Sequence, residues 1–224
     1  MTASLSRLRL MQLISPALPI GGFTYSQGIE YAVEAGWLQS AEDLADWLSG
    51  LIEDNLSYLE IPVLARLYEA FRIGDIHSFR SWSRYLLASR ETRELRLEEQ
   101  QRAVALTRLL LDLEVEGVAE LQPDLQMCQA APFTLAALHW RIPLEDCALG
   151  YAWSWLETLV SAAIKLIPLG QTDGQRLLLC LSEGLPDAVE SGLVLCDEQI
   201  GASSPMVALA SSLHENQYTR LFRS

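Results

Sequence analysis

Lysine is almost missing from this chain: of its 16 basic residues in 224, fifteen are Arg and only Lys165 is Lys. Cations are scarce altogether, because 29 Asp and Glu leave a net charge of −13. That balance excludes the dense positive charge by which nucleic-acid backbones and anionic membranes are bound. Cysteine is sparse too. Cys128, Cys147, Cys180 and Cys196 stand apart among apolar neighbours with no Cys-x-x-Cys, so they read as reduced thiols packed in a core, not as a disulfide framework. The three histidines, His77, His139 and His214, are isolated and form no metal motif. A phosphate-binding loop is absent as well: Lys165 is followed by Leu166, with no glycine at the required upstream spacing. No Gly-x-Ser-x-Gly elbow occurs. Long apolar runs are also lacking. The run 10–14 stops at Ser15-Pro16, too short for a signal-peptide core, and the stretch 148–167 carries Glu157 and Lys165. A cytoplasmic protein is expected.

What is present is a hydrophobic half, 50% of the residues, which no disordered acidic polymer would carry. A chain of this length buries roughly 70% of its unfolded surface and needs no staple. Apolar residues recur at helical spacing between nearly all the turn signals. In 40–57, Leu44, Trp47, Leu48, Leu51 and Leu56 share a face, and Ser40 with Asp43 forms a capping box. Pro62 is placed to begin a further helix, and Asp75 to cap the next, whose buried side is Phe79, Trp82, Leu86 and Leu87. The charged segment 90–113 contains Arg90–Glu94 and Glu98–Arg102 at i,i+4 and is expected to run from solvent into the core. Gly117 to Pro123 reads as a connection, and 144–167 as the central helix. His139 reads as a structural residue at a helix end. Strand signals are thin, so the expectation is an all-α single domain, 1–224, of about nine to ten helices with no sheet.

The acids mostly read as solvated helix faces; Glu145-Asp146 sit in a first turn, where carboxylates suit the dipole. Three segments ask for more. The first is Ser15-Pro16-Ala17-Leu18-Pro19-Ile20-Gly21-Gly22-Phe23-Thr24-Tyr25-Ser26-Gln27-Gly28-Ile29-Glu30, richer in constrained and small residues than a turn requires. The second holds the sole lysine in Lys165-Leu166-Ile167-Pro168-Leu169-Gly170-Gln171, where an ammonium must reach the surface or meet a carboxylate. The third, 214–224, is polar, aromatic and basic with no evident partner face, and reads as a flexible tail suited to a partner's groove.

These segments, together with Arg90-Glu91-Thr92-Arg93-Glu94-Leu95-Arg96, resemble the UreF family of urease accessory proteins, in order and over essentially the whole chain. No motif is carried over in 112–130. The resemblance implies an all-α, non-enzymatic chaperone or scaffold for nickel insertion into apo-urease, with no cofactor or metal site of its own. It implies as partners UreD (also called UreH), the nickel-dependent GTPase UreG and apo-urease, with no nucleic acid and no membrane, and it implies a homodimer. Carried over by motif, Tyr25, Glu30, Lys165 and Gln171 are candidate partner-facing residues, and Arg220, Phe222 and Arg223 belong to a tail that orders on partner binding. Glu30 and Lys165 are candidates for a charge pair with each other or with the GTPase. A helical metal-dependent enzyme using scattered carboxylates, a nickel carrier using Cys and His, and a helical adaptor unrelated to urease are the competing readings.

Overall fold

The computed structural model describes residues 2–224. It is all-α, and no strand occurs among the described residues. The helices are α1 (Ala3–Leu13), α2 (Ile29–Glu34), α3 (Ala41–Leu51), α4 (Ile61–Ile73), α5 (Ile76–Ala88) and α6 (Arg93–Asp112). They continue as α7 (Val118–Leu125), α8 (Ala130–His139), α9 (Leu144–Leu166), α10 (Gln171–Ser182), α11 (Leu185–Val194) and α12 (Pro205–His214). Among the described residues, no helix is long and apolar enough to cross a membrane.

Local chemistry sets the helix starts. Ser40 and Asp43 complete the expected capping box at α3. Asp75 accepts from the Ser78 amide at α5, and Thr92 from the Leu95 amide at α6. Between α3 and α4 the chain does not break at Pro62. It passes through a wide π-helical stretch, Ile52–Glu60, so that α3, this stretch and α4 form one rod. The proline and a distant amide together account for it. A proline ring crowds the carbonyl four residues earlier and offers it no N–H. That carbonyl, on Tyr58, instead accepts the amide of Gly201 at 2.8 Å, and Ser57 Oγ donates to the Ile52 carbonyl at 3.1 Å.

The 23-residue α9 is the central helix expected from its composition. It buries Ala148, Ala152, Leu156, Val160 and Ala163 completely or nearly so, against α2, α4, α8, α10 and α11. Around it lie Leu44, Leu48, Leu56, Leu64, Phe79, Leu86, Leu106 and Phe133, all fully buried. At the edge of this core two glycines bring helices together: a Cβ on Gly174 would sit 2.1 Å from Ile164 Cδ1, and one on Gly192 2.8 Å from Ile61 Cβ. His139 ends α8 as expected.

Four expectations change. Gly117 to Pro123 is not a plain connection, because α7 runs through it with Pro123 inside; burial of Val118 and Leu125 outweighs the proline's poor propensity. Only Cys128 and Cys147 are core thiols, whereas Cys180 and Cys196 are exposed, the first on the outer side of α10. Arg90 precedes the Thr92 cap, so it lies off the α6 helix and cannot make the i,i+4 pair with Glu94; Glu98–Arg102 does form, at 3.1 Å. The first half of α6 is also not solvent-facing throughout, since it buries Leu95, Glu98, Glu99 and Arg102.

Candidate interaction site at the C-terminal segment

Two glycines shape the N-terminal side of the site. Gly21 (φ 71°) lets the chain turn into a short 3₁₀ turn at Gly22–Thr24, and Gly28 (φ 83°) opens α2. A Cβ at Gly28 would lie 2.9 Å from the Ala210 Cβ on α12, so glycine is what lets α12 approach. Gln27, itself at positive φ, donates to Glu98 Oε1 at 2.9 Å and accepts from the Trp155 indole at 3.1 Å. Under the Pro-rich part of the turn, Leu18, Phe23, Arg102, Ser154 and Glu157 line a cleft, and burial raises the Glu157 carboxyl above its ordinary value.

The segment expected to be a flexible tail is folded onto this platform. Glu30, buried in the first turn of α2, accepts the amides of Leu221 at 2.5 Å and Phe222 at 2.8 Å. The backbone oxygen of Ser224 accepts from the Ser26 amide (2.8 Å) and hydroxyl (2.6 Å). Ser224 Oγ in turn donates to Glu98 at 2.8 Å, and the Arg223 amide donates to the Thr24 carbonyl at 2.8 Å. Arg220 Nη1 reaches Glu94 at 2.7 Å, and Phe222 is 4% exposed. A partner face within the chain therefore exists. The carboxylates that make it lie on α2 and α6, and only folding brings them beneath the segment.

The seven candidate residues separate by orientation. Tyr25, Glu30 and Phe222 are turned inward, while Lys165, Gln171, Arg220 and Arg223 are exposed. The Tyr25 hydroxyl donates to Gln101 at 2.8 Å, and its pKa is raised by burial and then by the Glu98 charge. Lys165 does not pair with Glu30. Its Nζ lies 5.6 Å from the Phe222 ring centroid and 6.0 Å from that of Phe23, over aromatic faces that attract a cation. Gln171 begins α10 on the far side of the Pro168 turn. Lys165, Phe23 and the exposed Leu221 thus lie about the Phe222 anchor.

Sequence reasoning missed His214. It is fully buried, with Nε2 3.1 Å from Glu30 Oε2 and Nδ1 2.6 Å from Glu94 Oε2. The signal available in the sequence was a lone histidine at the end of an apolar helix in an acidic chain. A second buried ionic centre also went unseen. Arg90 bonds Glu60 at 2.5 Å and Glu99 at 2.6 Å, and Glu99 also accepts the Gln129 amide at 2.6 Å. Burial alone would lower the pKa of Arg90, but the two carboxylates hold it well above the ordinary value. Among the described residues no group of three or more His, Cys, Asp or Glu side chains could hold a metal ion.

This geometry defines an all-α protein whose C-terminal segment is anchored by buried carboxylates, with an exposed cation and aromatic residues beside the anchor. The UreF family model matches residues 38–182, which excludes both the Gly-rich turn and the anchored segment. Similar proteins extend the match from end to end. Urease accessory protein UreF of Pseudomonas putida is 51% identical over 224 residues, covering all of both chains. That of Alcanivorax borkumensis is 53% identical over 222 residues, covering 96% of this chain and 97% of its own. The Citrobacter koseri protein is 46% identical over the full length of both. The chain belongs to the UreF family of urease accessory proteins.

Proposed function

We propose that this protein is a non-enzymatic scaffold in the maturation of nickel urease, acting as a chaperone for nickel insertion into apo-urease. In this reading it bridges UreD (UreH) and the GTPase UreG, modulates the GTPase cycle, and docks with them on apo-urease. It works in the cytoplasm as a homodimer, with 1–224 as one unit. The observation that carries the reading is the full-length correspondence with proteins named urease accessory protein UreF.

The site chemistry supports it. Tyr218, Leu221, Arg220 and Arg223 are exposed on a short segment held by a few directional bonds, so the segment offers an aromatic, an aliphatic and two cations to a partner. Lys165 and Phe23 add a cation and an exposed aromatic beside it. Exposed aromatic and Arg side chains are the types that dominate interface energetics.

Co-purification from cells expressing urease and its accessory proteins tests the assignment. Deleting 218–224 is expected to abolish capture of UreD, and Lys165→Ala to weaken capture of UreG by about tenfold, the scale of a single interface anchor. Undiminished capture by both variants would overturn the interface. Full urease activation in cells lacking the protein would overturn the function itself.

A further inference from the structure

His214 closes α12, and the groups facing its ring come from each element packed around it. Glu30 comes from α2 and Glu94 from α6, while Arg220 from the C-terminal segment holds the other oxygen of Glu94. Glu30 also takes the Leu221 and Phe222 amides. Farther out, Glu34 of α2 is occupied by Gln217, and Glu215 points to solvent. One turn before His214, Ser211 pairs with Thr92 at 2.7 Å.

A neutral imidazole has one N–H and one lone pair, whereas an ionised carboxylate only accepts. A neutral ring between Glu30 and Glu94 would satisfy one carboxylate and press its lone pair on the other at hydrogen-bond distance. With both carboxylates ionised, the two contacts are satisfied together only when both ring nitrogens carry hydrogen. Charge gives the same answer. Glu30 is buried and Glu94 nearly so, and Arg220 is the guanidinium bonded to this pair, so the imidazolium supplies the second positive charge beside two carboxylates.

We propose that the folded-back C-terminal segment is latched by a proton on His214: closing takes one proton from solvent onto the ring, and returning that proton to solvent releases 218–224. The latch works through Glu30. When the ring turns neutral and keeps its hydrogen at the shorter Glu94 contact, its lone pair faces Glu30 and pushes that carboxylate from the geometry in which it accepts the Leu221 and Phe222 amides. The sign follows from proton counting: the closed form binds one more proton than the open form, so closure weakens as pH rises. The proton step is independent of what the released segment binds, and so goes beyond the scaffold reading.

The test uses the full chain without partners. Hydrogen exchange at the Leu221 and Phe222 amides is measured from about pH 5 to beyond about pH 8, the range in which histidine changes charge, and corrected with α9 core amides. Ring ¹⁵N shifts of His214 are read on the same samples. While the segment is protected, both ring nitrogens are expected to be protonated. Protection should then fall about tenfold per pH unit over the range where only the closed form keeps the proton. Glu94→Gln, whose amide can both donate and accept, and His214→Gln, which does not titrate, should each flatten that slope, and the α9 amides report whether each variant folds. A neutral ring with the amides still protected would overturn the proposal. So would a slope of zero in the parent chain, or an undiminished slope in a folded variant.

Discussion

Buried charges carry most of the individuality of this chain at the scale of single residues. Glu30, Glu60, Glu98 and Glu99 are each no more than 6% exposed, and every one is engaged by a cation, an amide or a hydroxyl. Removing one partner from such a set leaves an uncompensated buried charge, which costs about 3–5 kcal/mol. Read from the sequence, most acids belong on solvated faces. That holds for Asp112, Glu114, Glu116 and Glu120, which are exposed, and fails for these four, each of which takes at least one partner from a distant segment. The cysteines divide in a comparable way. Burial pushes the Cys128 thiol up to about 12 and raises that of Cys147 as well, whereas Cys180 and Cys196 are open to solvent. With a disulfide reagent at neutral pH, Cys180 and Cys196 are expected to react at once, and Cys128 and Cys147 only on unfolding. Reaction of more than two thiols in the native protein would contradict this.

Glycine decides contacts at the scale of elements, and two positions give opposite expectations. Gly28 combines a left-handed backbone with a 2.9 Å approach to Ala210. Gly28→Ala is therefore expected to cost about 1–3 kcal/mol through strain and overpacking and to loosen α12 together with the segment that follows it. Gly50 lies in the interior of the α3–α4 rod, and a methyl group there would meet nothing within 4 Å. Gly50→Ala is expected to stabilise by about 0.5–1 kcal/mol, the usual helix-interior difference. Denaturant unfolding of both variants checks the pair, and equal effects would show that the α2–α12 contact does not matter. Helix existence and the caps at Ser40 and Asp75 were legible in the sequence because they depend on neighbours within four residues. The π-helical stretch was not, because the Tyr58 carbonyl that Pro62 frees is taken up by Gly201, far along the chain.

Alkaline stability is a property of the whole molecule. Tyr25, Tyr68 and Tyr151 all have pKa values raised above the ordinary 10.0, in each case by burial first. For Tyr151 the charges of Glu60 and Glu99 add to it. A raised value in the folded state means that the fold favours the neutral phenol. Its contribution is fully present below pH 10 and is lost as pH rises through the folded values. Phenolate absorbance and helical circular dichroism, followed together, are expected to show part of the tyrosine ionising only as the helices melt. Complete ionisation with the helices intact would refute that. The same buried centre ties the molecule together, since Arg90 links the rod at Glu60 to α6 at Glu99 beneath the site that anchors the C-terminal segment.

By itself the sequence determined the all-α class, the central place of α9, the caps at Ser40 and Asp75 and the family motifs, including the isolation of Lys165. Periodicity and capping act over a turn or two of chain, so they can be read without knowing the fold. Tertiary structure alone decided where the ends of the chain meet. Glu30 and Leu221 are far apart in sequence, and nothing local distinguishes a carboxylate that will face water from one that will receive two amides and an imidazole. It decided Lys165 in the same way, directing its charge to the Phe23 and Phe222 rings and leaving Glu30 to His214. Desolvation is the physical reason: a charge removed from water must be met by partners, and which partners arrive depends on how the helices pack.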